Sequence, residues 1–372
     1  MPDRAFTYLF AGGGTGGHIY PAIALAEELL QRQPESDIHF VGTKKGLERK
    51  VVPEKGFPLH LIAVRGVARY RTMANLLFPF RLLWSLIQSV ALLLRLRPRA
   101  VIGTGGYVSG PVLYAASVLN VPTLIQEQNS YPGITTRLLA RRVDRVHLSF
   151  QSSKNYLKKK DNLFVTGNPV RHLDVSVSQN KARQHFGLDG DRVTLFVFGG
   201  SQGASAINQA LLEGLEAILQ EIDLQIIWST GPSDYQEIQQ KAEIRKSRLF
   251  LAPFITDMPM AYRAADCALA RAGAITLAEL TACGCPAILI PYPYAAAHHQ
   301  EENAKTLEKE GAAKMILQSE LTPQILIETV RELAQNEKQR QQMRRAAEKF
   351  AFPQATKKIV DSLFQLCENR GE

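Results

Sequence analysis

The sequence predicts an α/β protein of two domains, each with a parallel sheet covered by helices on both faces. Short apolar runs typical of strands alternate with helical patterns over most of the 372 residues. A chain of this length is long enough for two domains with separate cores. The segment Phe6 to Gly17 is also echoed by Val193 to Ala204 in strand, glycine turn and following helix. Two strand–glycine turn–helix segments about half a chain apart favour two Rossmann-like domains.

The predicted strands fall into two sets separated by a polar linker. Each is a short apolar run, and helical patterns separate consecutive runs. The predicted linker runs from Asn168 to about Asn180. The first set is Thr7–Ala11, Ile38–Val41, Leu59–Val64, Ala100–Ile102, Thr123–Gln126, Arg145–Ser149 and Leu163–Thr166. The second set is Val193–Phe198, Gln225–Ser229, Leu249–Ala252, Cys267–Ala270 and Ala287–Pro291.

The most informative segment is the glycine run at residues 12–18, which directly follows the first predicted strand. It reads Gly-Gly-Gly-Thr-Gly-Gly-His, and a helical pattern begins at once. So many glycines indicate that backbone amides approach a ligand closely. Because a helix N-terminus offers unpaired N–H groups and the positive end of its dipole, the segment predicts a phosphate site. His18 adds a titratable group beside that site.

The spacing of Gly12, Gly14 and Gly17 also fits the dinucleotide-binding fingerprint, which makes an NAD-dependent enzyme a rival interpretation. That fingerprint expects an acid at the end of the second strand to bind the ribose. Here the second strand ends in Gly-Thr-Lys-Lys, and the first acid after it is Glu48. The match to the fingerprint is therefore weak.

Further glycine clusters follow other predicted strands in both halves. Residues 103–107 read Gly-Thr-Gly-Gly-Tyr, and residues 199–203 read Gly-Gly-Ser-Gln-Gly. Ligands of open parallel sheets bind at the carboxyl ends of the strands. These loops are therefore predicted to line a cleft between the two domains, which would hold an extended phosphate-bearing ligand or two ligands.

The segment after residue 270 predicts another helix N-terminus at this site. Gly273 allows the chain to turn, and a helix is expected from Ala274. Glu279 has two interpretations, since its carboxylate can accept hydrogen bonds from vicinal ribose hydroxyls or can stabilise the helix dipole. Further on, Gln300 and Asn303 lie one helical turn apart and could both face a ligand.

The formal net charge of +9 suits an anionic partner, and its distribution favours a membrane surface. Seven arginines and no acid occur from Arg65 to Arg99, around the apolar run Leu82 to Leu94. That run is too short to span a bilayer, which needs roughly 20 residues. We expect residues 73–99 to rest on anionic lipid, with a core helix flanked by solvated arginines as the alternative. No pattern of an RNA-recognition module occurs, so no nucleic-acid partner is expected.

The remaining candidate metal motifs have simpler interpretations. Four cysteines in so long a chain do not make a disulfide framework, which suits a reducing cytoplasm. Cys283 and Cys285 lack a second ligand pair at zinc-like spacing, so they are predicted to be small buried side chains. Asp189-Gly-Asp191 precedes a strand and is predicted to be a turn. No metal is expected.

Taken together, these motifs resemble those of the MurG family, the lipid-linked N-acetylglucosaminyltransferases of peptidoglycan synthesis. The similar segments are residues 13–18, 103–107, 127–129, 167–171, 199–203 and 271–279, with Gln300 and Asn303. The resemblance implies a GT-B fold, in which two Rossmann-like domains with parallel sheets face each other across a cleft. It implies an acceptor domain at 1–168 with the C-terminal helix 350–372 packed on it, and a donor domain at 169–349. Ala272 departs from the family, which often has Ser there.

The resemblance also implies the reaction and its partners. GlcNAc would pass from UDP-GlcNAc to the 4-hydroxyl of MurNAc in undecaprenyl-diphospho-MurNAc-pentapeptide (lipid I), with inversion and without metal or cofactor, giving lipid II. The chain would be a peripheral protein at the cytoplasmic face of the cell (inner) membrane, and contact with other cell-wall synthesis proteins is left open. Rival functions are a transferase acting on a diacylglycerol lipid, a UDP-GlcNAc 2-epimerase and a non-catalytic nucleotide-sugar sensor.

Carried over by position, the resemblance assigns site residues in both domains. The sugar side of the donor would meet Thr15, Gly16, Gly17 and Asn129. The acceptor diphosphate would meet the loops with Gly13, Gly14, Gly105, Gly106 and Tyr107. The donor diphosphate would contact Arg171 and Ser201, the uracil would pack by Ile255, and Gln300 would lie near the sugar. The diphosphate and ribose would be held by Ala274, Ile275, Thr276, Leu277, Ala278 and Glu279.

The attacking hydroxyl needs a base, and His18 is the candidate because imidazole titrates near neutrality. A hydrogen bond from His18 to the acceptor phosphate or to the sugar is the alternative role, and both stay open here. Helix N-termini, Arg171 and loop amides would stabilise the charge that gathers on the leaving UDP.

Overall fold

The computed structural model describes residues 6–64, 78–170, 177–200, 202–242, 247–295 and 298–370. The chain divides into two compact units, the first being Met1–Val170 with Phe352–Glu372 and the second Arg171–Ala351. Each unit has one sheet in which every pair of neighbouring strands is parallel. The predicted α/β class with two Rossmann-like domains is confirmed.

The first unit has a seven-stranded sheet in the order β3-β2-β1-β4-β5-β6-β7. The order reverses between β1 and β4, which places the loops after these two strands side by side at the edge where Rossmann-like sheets bind ligands. Its strands are β1 (Thr7–Gly12), β2 (Asp37–Gly42), β3 (Leu59–Leu61), β4 (Ala100–Gly105), β5 (Thr123–Glu127), β6 (Arg145–Leu148) and β7 (Leu163–Val165).

Helices cover both faces of this sheet because its strands carry apolar side chains on both sides. One face packs Tyr8, Phe10 and Phe40 against the first helix and the last helix of the chain. The other face packs Leu9 and Val101 against the third and fourth helices. The helices are α1 (Gly16–Arg32), α2 (Glu48–Glu54), α3 (Phe78–Leu96), α4 (Ser109–Val118) and α5 (Ile134–Leu139), followed by a 3₁₀ helix at Gln151–Tyr156.

The second unit repeats the same arrangement with six strands in the order β10-β9-β8-β11-β12-β13. Here the order reverses between β8 and β11, so the loops after those strands are neighbours. The strands are β8 (Val193–Phe198), β9 (Leu224–Ser229), β10 (Leu249–Ala252), β11 (Cys267–Ala270), β12 (Ala287–Leu289) and β13 (Ala313–Met315). The helices are α6 (Gln179–His185), α7 (Ser205–Glu221), α8 (Tyr235–Ala242), α9 (Met258–Ala264), α10 (Ala274–Ala282), α11 (His299–Lys309), α12 (Pro323–Gln335) and α13 (Glu337–Glu348).

The last helix, α14 (Ala355–Glu368), packs on the first unit although it follows the second in sequence. Ile359, Val360 and Leu363 enter the core beside α1. His147 of β6 binds this helix directly, since its Nε2 lies 2.9 Å from Ser362 Oγ. An apolar stripe and a buried polar contact together fix the C-terminal helix to the first unit.

Helix α3 is longer than the apolar run that predicted it. The predicted apolar run covered Leu82 to Leu94, whereas the helix spans Phe78–Leu96 and is by length and composition long and apolar enough to cross a membrane. Its buried residues include Ser85 and Ser89, while Phe80 and Trp84 are 71% and 55% exposed. The helix therefore turns Ser85 and Ser89 inward, packs Leu92 and Leu93 into the core near its C-terminal end, and presents a large apolar stripe outward.

Strand positions follow the prediction closely, with three informative differences. The run at 59–64 forms a strand only to Leu61, and β4 continues through Gly105, so the glycine cluster at 103–107 begins inside the strand. Strand β13 at Ala313–Met315 was missed, because three residues that include a lysine carry no strand-like apolar run. Residues 73–77 of the predicted membrane segment lie outside the described residues, as do the preceding Arg65, Arg69 and Arg71.

Candidate active site

The first glycine loop joins β1 to α1 at the point where the strand order reverses. Gly14 has φ +91°, a left-handed conformation that favours glycine. Thr15 precedes α1 as its N-cap residue, and no side chain caps the helix. The predicted site residues Gly16 and Gly17 form the first two positions of α1. The first turn of an uncapped helix is suited to donating hydrogen bonds to an anion.

A buried carboxylate that sequence reasoning passed over organises this loop. Glu48 is 0% exposed, and its Oε2 accepts a 2.8 Å hydrogen bond from the Gly14 N–H. Its Oε1 accepts hydrogen bonds of 2.8 Å from both the N–H and the hydroxyl of Thr43. The acid that lies too late in the sequence for a dinucleotide fingerprint thus binds the glycine loop itself. The sequence held a signal for it, since Gly42, Gly46 and Glu48 cluster at the end of β2 and just after it.

His18 lies in the first turn of α1 with its ring held by the loop. Nδ1 is 3.0 Å from the carbonyl oxygen of Gly13 and 3.4 Å from the hydroxyl of Thr15. Because a carbonyl oxygen only accepts, Nδ1 carries the proton in this contact, and the lone pair of the neutral ring is on Nε2. This is the tautomer that a base acting through Nε2 requires.

The glycine cluster at residues 103–107 packs directly against the glycine run at residues 12–18. A Cβ added to Gly106 would lie 2.4 Å from the Gly13 carbonyl oxygen, and one added to Gly105 would lie 2.6 Å from Cδ2 of His18. Both glycines also have positive φ, +106° for Gly105 and +78° for Gly106. The two predicted acceptor loops are therefore adjacent, and the side chain of Tyr107 beside them is exposed.

Asn129 is positioned by a second buried carboxylate at the end of β5. Glu127 Oε1 accepts hydrogen bonds from the backbone and side-chain nitrogens of Asn129, at 3.1 and 3.3 Å. Its Oε2 accepts from the Gly133 N–H and from the Thr136 hydroxyl, at 2.9 and 2.6 Å. One carboxylate thereby fixes both the predicted sugar contact and the start of α5.

In the second unit the loop after β8 again leads into an uncapped helix, α7. Gly200 and Gly203 have positive φ, and a Cβ on Gly203 would lie 2.1 Å from the carbonyl oxygen of Thr230. The loop therefore lies against the end of β9. The predicted diphosphate contacts Arg171 and Ser201 fall outside the described residues.

Helix α10 begins where the sequence predicted, with Gly273 as an N-cap that supplies no side-chain hydrogen bond. Its first residues, Ala274 to Ala278, follow the end of β11 after three loop residues. Glu279 is only 3% exposed and accepts a 2.8 Å hydrogen bond from the Tyr262 hydroxyl on Oε2. Ala272, the departure from the family pattern, is fully buried.

Arg271 ties the loops around α10 together. Its guanidinium donates to the carbonyl oxygens of Ile290 and Pro291 at 3.1 and 3.2 Å, and to Gln318 Oε1 at 2.6 Å. Burial lowers the pKa of this arginine, a shift that Tyr292 opposes. These hydrogen bonds show that Arg271 holds neighbouring loops together, whereas the sequence had indicated it only as part of a motif.

The other predicted donor-side residues lie on or near neighbouring loops. Gln300, in the first turn of α11, accepts a 3.0 Å hydrogen bond from the Tyr292 N–H on its side-chain oxygen. Asn303 is fully buried and donates to the Ala272 carbonyl oxygen at 3.4 Å. Ile255, which follows β10, is also buried. Gln300 is thus oriented by backbone, and Asn303 reinforces the loop before α10 from beneath.

The candidate metal motifs are structural in the described part of the chain. Asp191 donates its N–H to Asp189 Oδ1 at 2.9 Å, which is a turn stabilised by an aspartate side chain. Cys285 is buried, Cys283 is half-buried, and burial raises the pKa of the Cys283 thiol to about 12. Among the described residues, no three His, Cys, Asp or Glu side chains are grouped in a way that could hold a metal ion.

Comparison with known proteins adds family membership to this geometry. Residues 8–148 match the glycosyltransferase family 28 N-terminal domain, and residues 194–359 match the glycosyltransferase family 28 C-terminal domain. A protein of Acetivibrio thermocellus is 39% identical over 364 residues, covering 98% of this chain and 99% of its own. A protein of Chlorobaculum parvum is 43% identical over 365 residues, covering 97% and 99%. Both are named UDP-N-acetylglucosamine--N-acetylmuramyl-(pentapeptide) pyrophosphoryl-undecaprenol N-acetylglucosamine transferase.

The chain belongs to the MurG family. The crystal structure of Acinetobacter baumannii MurG matches it with a TM-score of 0.77 and 30% identity, covering 97% of this chain and 99% of the other. The chain is therefore a glycosyltransferase with the GT-B fold. UDP-GlcNAc 2-epimerase from Neisseria meningitidis has a TM-score of 0.65 at 14% identity, a likeness that shows the fold alone. The MurG-family interpretation is thus confirmed over its epimerase and diacylglycerol rivals.

Proposed function

We propose that this MurG-family chain transfers GlcNAc from UDP-GlcNAc to the 4-hydroxyl of MurNAc in lipid I, forming lipid II. The observation that carries the proposal is His18, which is held in its Nδ1–H tautomer between two glycine loops at the ligand-binding edge of the first sheet. A nucleotide-sugar sensor has no use for a base held in this way. The product is a peptidoglycan precursor, which places the enzyme in cell-wall growth and hence in cell shape and division.

The acceptor half of the site lies in the first unit. Gly105, Gly106 and Tyr107, together with Gly13 and Gly14, form the surface on which the lipid diphosphate rests. Thr15, Gly16 and Gly17 present the first-turn N–H groups of α1, and Asn129 is fixed by Glu127 beside them. Since Gly14 already donates its N–H to Glu48, the amides that meet the ligand are those of the following residues.

The donor half lies in the second unit. The N-termini of α7 and α10 face the diphosphate, where Arg171 and Ser201 add their side chains. Glu279 accepts from the ribose hydroxyls, Ile255 packs by the uracil, and Gln300 meets the sugar. The hydrogen bond that Gln300 accepts from the Tyr292 backbone supports this role, because it orients the amide before substrate arrives.

The chemical step is an in-line displacement at the anomeric carbon. The acceptor oxygen O4 forms a bond to C1 while the bond from C1 to the β-phosphate oxygen breaks, which inverts the configuration. The O4 proton passes to Nε2 of His18, and UDP leaves with the electron pair of the broken bond. Helix N-termini and Arg171 stabilise the charge on UDP, so this step needs no metal.

A lipid acceptor requires the enzyme to work at a membrane surface, and α3 supplies a suitable face. Its outward stripe carries Phe80, Leu83, Trp84, Ile87 and Leu94, each at least half exposed. Arg95 and Arg97 follow at the end of the helix, where they can pair with anionic headgroups. We place α3 against the cytoplasmic leaflet as a peripheral contact.

The test is an assay with radiolabelled UDP-GlcNAc and a lipid I analogue in detergent or vesicles. We expect a labelled disaccharide lipid and one UDP released per transfer. Formation of UDP-ManNAc without acceptor would instead indicate an epimerase. Transfer only to diacylglycerol would indicate a different lipid transferase, and tight donor binding without turnover would indicate a sensor.

A further inference from the structure

One peptide group in the first glycine loop connects two side chains on opposite sides of it. The peptide between Gly13 and Gly14 accepts from His18 Nδ1 on its carbonyl oxygen, at 3.0 Å. The same peptide donates its N–H to Glu48 Oε2, at 2.8 Å. The two hydrogen bonds therefore form a chain from a buried carboxylate, through a single amide, to the imidazole.

We infer that Glu48 is a positioning residue that orients His18 through the Gly13–Gly14 peptide group. The inference rests on the proposed function, in which His18 takes the acceptor proton. A carboxylate that accepts from an amide N–H polarises the amide, and hydrogen bonds in such a chain strengthen each other. The Gly13 oxygen thereby becomes a stronger acceptor for Nδ1–H, which fixes the lone pair on Nε2.

The arrangement resembles the direct carboxylate–histidine pairs of other enzymes in its physical effect, with an amide inserted between the partners. In those pairs the carboxylate holds the ring in the correct tautomer and orientation. Here the Nδ1 of His18 contacts the Gly13 carbonyl oxygen, and the backbone carries the effect of the carboxylate. The proton of the acceptor hydroxyl passes to His18 alone.

The glycines around Glu48 show that the loop is built for this carboxylate. A Cβ on Gly13 would lie 2.6 Å from Oε1, one on Gly46 would lie 1.9 Å from Oε2, and one on Gly42 would lie 2.4 Å from Cγ. These three glycines are not among those with positive φ, so their backbone conformation does not require glycine. The space they leave is occupied by the Glu48 side chain.

Thr43 completes the cradle and supplies a matched control. Its N–H and hydroxyl both donate to Oε1, the oxygen that does not touch the Gly13–Gly14 peptide. Removing the Thr43 hydroxyl takes away one hydrogen bond to Oε1 and leaves the bond between Oε2 and the Gly14 N–H in place. Thr43→Val therefore tests whether loosening Glu48 in general is enough to affect His18.

The decisive experiment is a double-mutant cycle on the full chain with Glu48→Gln and His18→Gln. Glutamine keeps the shape of glutamate but replaces one carboxylate oxygen with an N–H₂ group. That group faces a backbone N–H, either of Gly14 or of Thr43, and cannot accept its hydrogen bond. We expect Glu48→Gln alone to lower kcat about 10–100-fold, the range typical of residues that orient a catalytic group without touching the substrate. In the His18→Gln background the same change should cost less than about twofold, because the two residues act as one unit. Thr43→Val should retain kcat within about twofold of the parent.

A second readout does not depend on turnover. Nitrogen-15 NMR of labelled histidine distinguishes the two ring tautomers, and we expect His18 to be Nδ1–H in the parent and a mixture in Glu48→Gln. If the parent is Nε2–H, or if Glu48→Gln costs the same kcat with and without His18, the inference is wrong. Should Glu48→Gln fold poorly, Glu48→Asp is used, with UDP affinity as the folding check. A parent chain that makes no disaccharide would refute the proposed function, while the NMR result would still decide the relation of Glu48 to His18.

Discussion

The Thr104 hydroxyl donates a 2.7 Å hydrogen bond to the backbone carbonyl oxygen of His18, although 86 positions separate the two residues. This bond joins the end of β4 to the first turn of α1. It also explains Gly12, since a Cβ there would lie 2.1 Å from the same hydroxyl oxygen. The candidate base is thus held by the neighbouring strand as well as by its own loop.

Replacing His18 tests which of its two proposed roles is correct. If His18 is the base, His18→Gln and His18→Ala should lower kcat about 10²–10⁴-fold and leave the acceptor KM nearly unchanged. Steady-state kinetics with varied lipid I analogue measures both constants. A loss confined to acceptor affinity, with turnover preserved, would show that His18 only contacts the acceptor.

Gly105→Ala should disable the enzyme by displacing the His18 ring. The added methyl would lie 2.6 Å from Cδ2, and a displacement of about 1 Å can cost roughly 10²-fold in kcat. Gly56→Ala is the matched control, because Gly56 also has positive φ but an added Cβ meets nothing within 4 Å. Both variants should lose about 1–2 kcal/mol of stability. Equal kcat for the two variants would contradict the steric role of Gly105.

Glu279→Gln should weaken donor binding at the ribose. Hydrogen bonds to a charged group contribute about 1.5–3 kcal/mol, so we expect the KM for UDP-GlcNAc to rise about 10–100-fold. The variant should also lose the preference for UDP over 2′-deoxy-UDP, measured by calorimetry. Tyr262→Phe removes the hydroxyl that donates to Oε2 but keeps the carboxylate, and should cost much less. An unchanged preference in Glu279→Gln would support the helix-dipole interpretation instead.

Polar substitution of the α3 stripe should release the protein from lipid. Burial of apolar side chains in a membrane surface contributes enough that Phe80→Ser with Trp84→Ser and Ile87→Ser should weaken binding at least about tenfold. Co-sedimentation with phosphatidylglycerol vesicles measures this. Ile325→Ser, at an exposed apolar position on α12 of the second unit, serves as the control. Unchanged sedimentation of the triple variant would refute the proposed membrane face.

The stability of the first unit should fall in mild acid because of His147. Burial, helped by the nearby Arg145, lowers the pKa of His147 to about 3. The unfolded chain takes up that proton near pH 6.5, so stability is complete above this pH and declines as pH falls towards 3. The loss is about 1.4 kcal/mol per pH unit, or about 2 kcal/mol at pH 5.

Hydrogen exchange of β6 amides in urea at pH 7 and pH 5 measures this loss. His147→Gln should reduce the difference between the two pH values, whereas His185→Gln, at a half-exposed histidine in the second unit, should not. A parent protein equally stable at both pH values would rule out the depressed pKa.

Much of the fold could be predicted from the chain because parallel strands are buried on both faces and produce continuous apolar runs. The positions of Val193–Phe198, Leu249–Ala252 and Cys267–Ala270 were predicted to the residue. The same reasoning could not show the orientation of α3, since an apolar helix can be buried in a protein core or can lie on a membrane. It also missed β13. The three residues of this strand have no apolar run of their own and are extended because they pair with β12.

The sequence by itself determined the class of the site: glycine loops at strand ends, a helix that starts at once, and a histidine beside it. Only the tertiary structure decided how these parts act on each other. Glu48, Thr104 and Gly105 are distant from His18 along the chain, and the strand order β2-β1-β4 brings all three to one loop. A pattern along the chain records which residues are near in sequence, whereas the ring of His18 is held by hydrogen bonds and close contacts between segments that only the folded sheet makes neighbours.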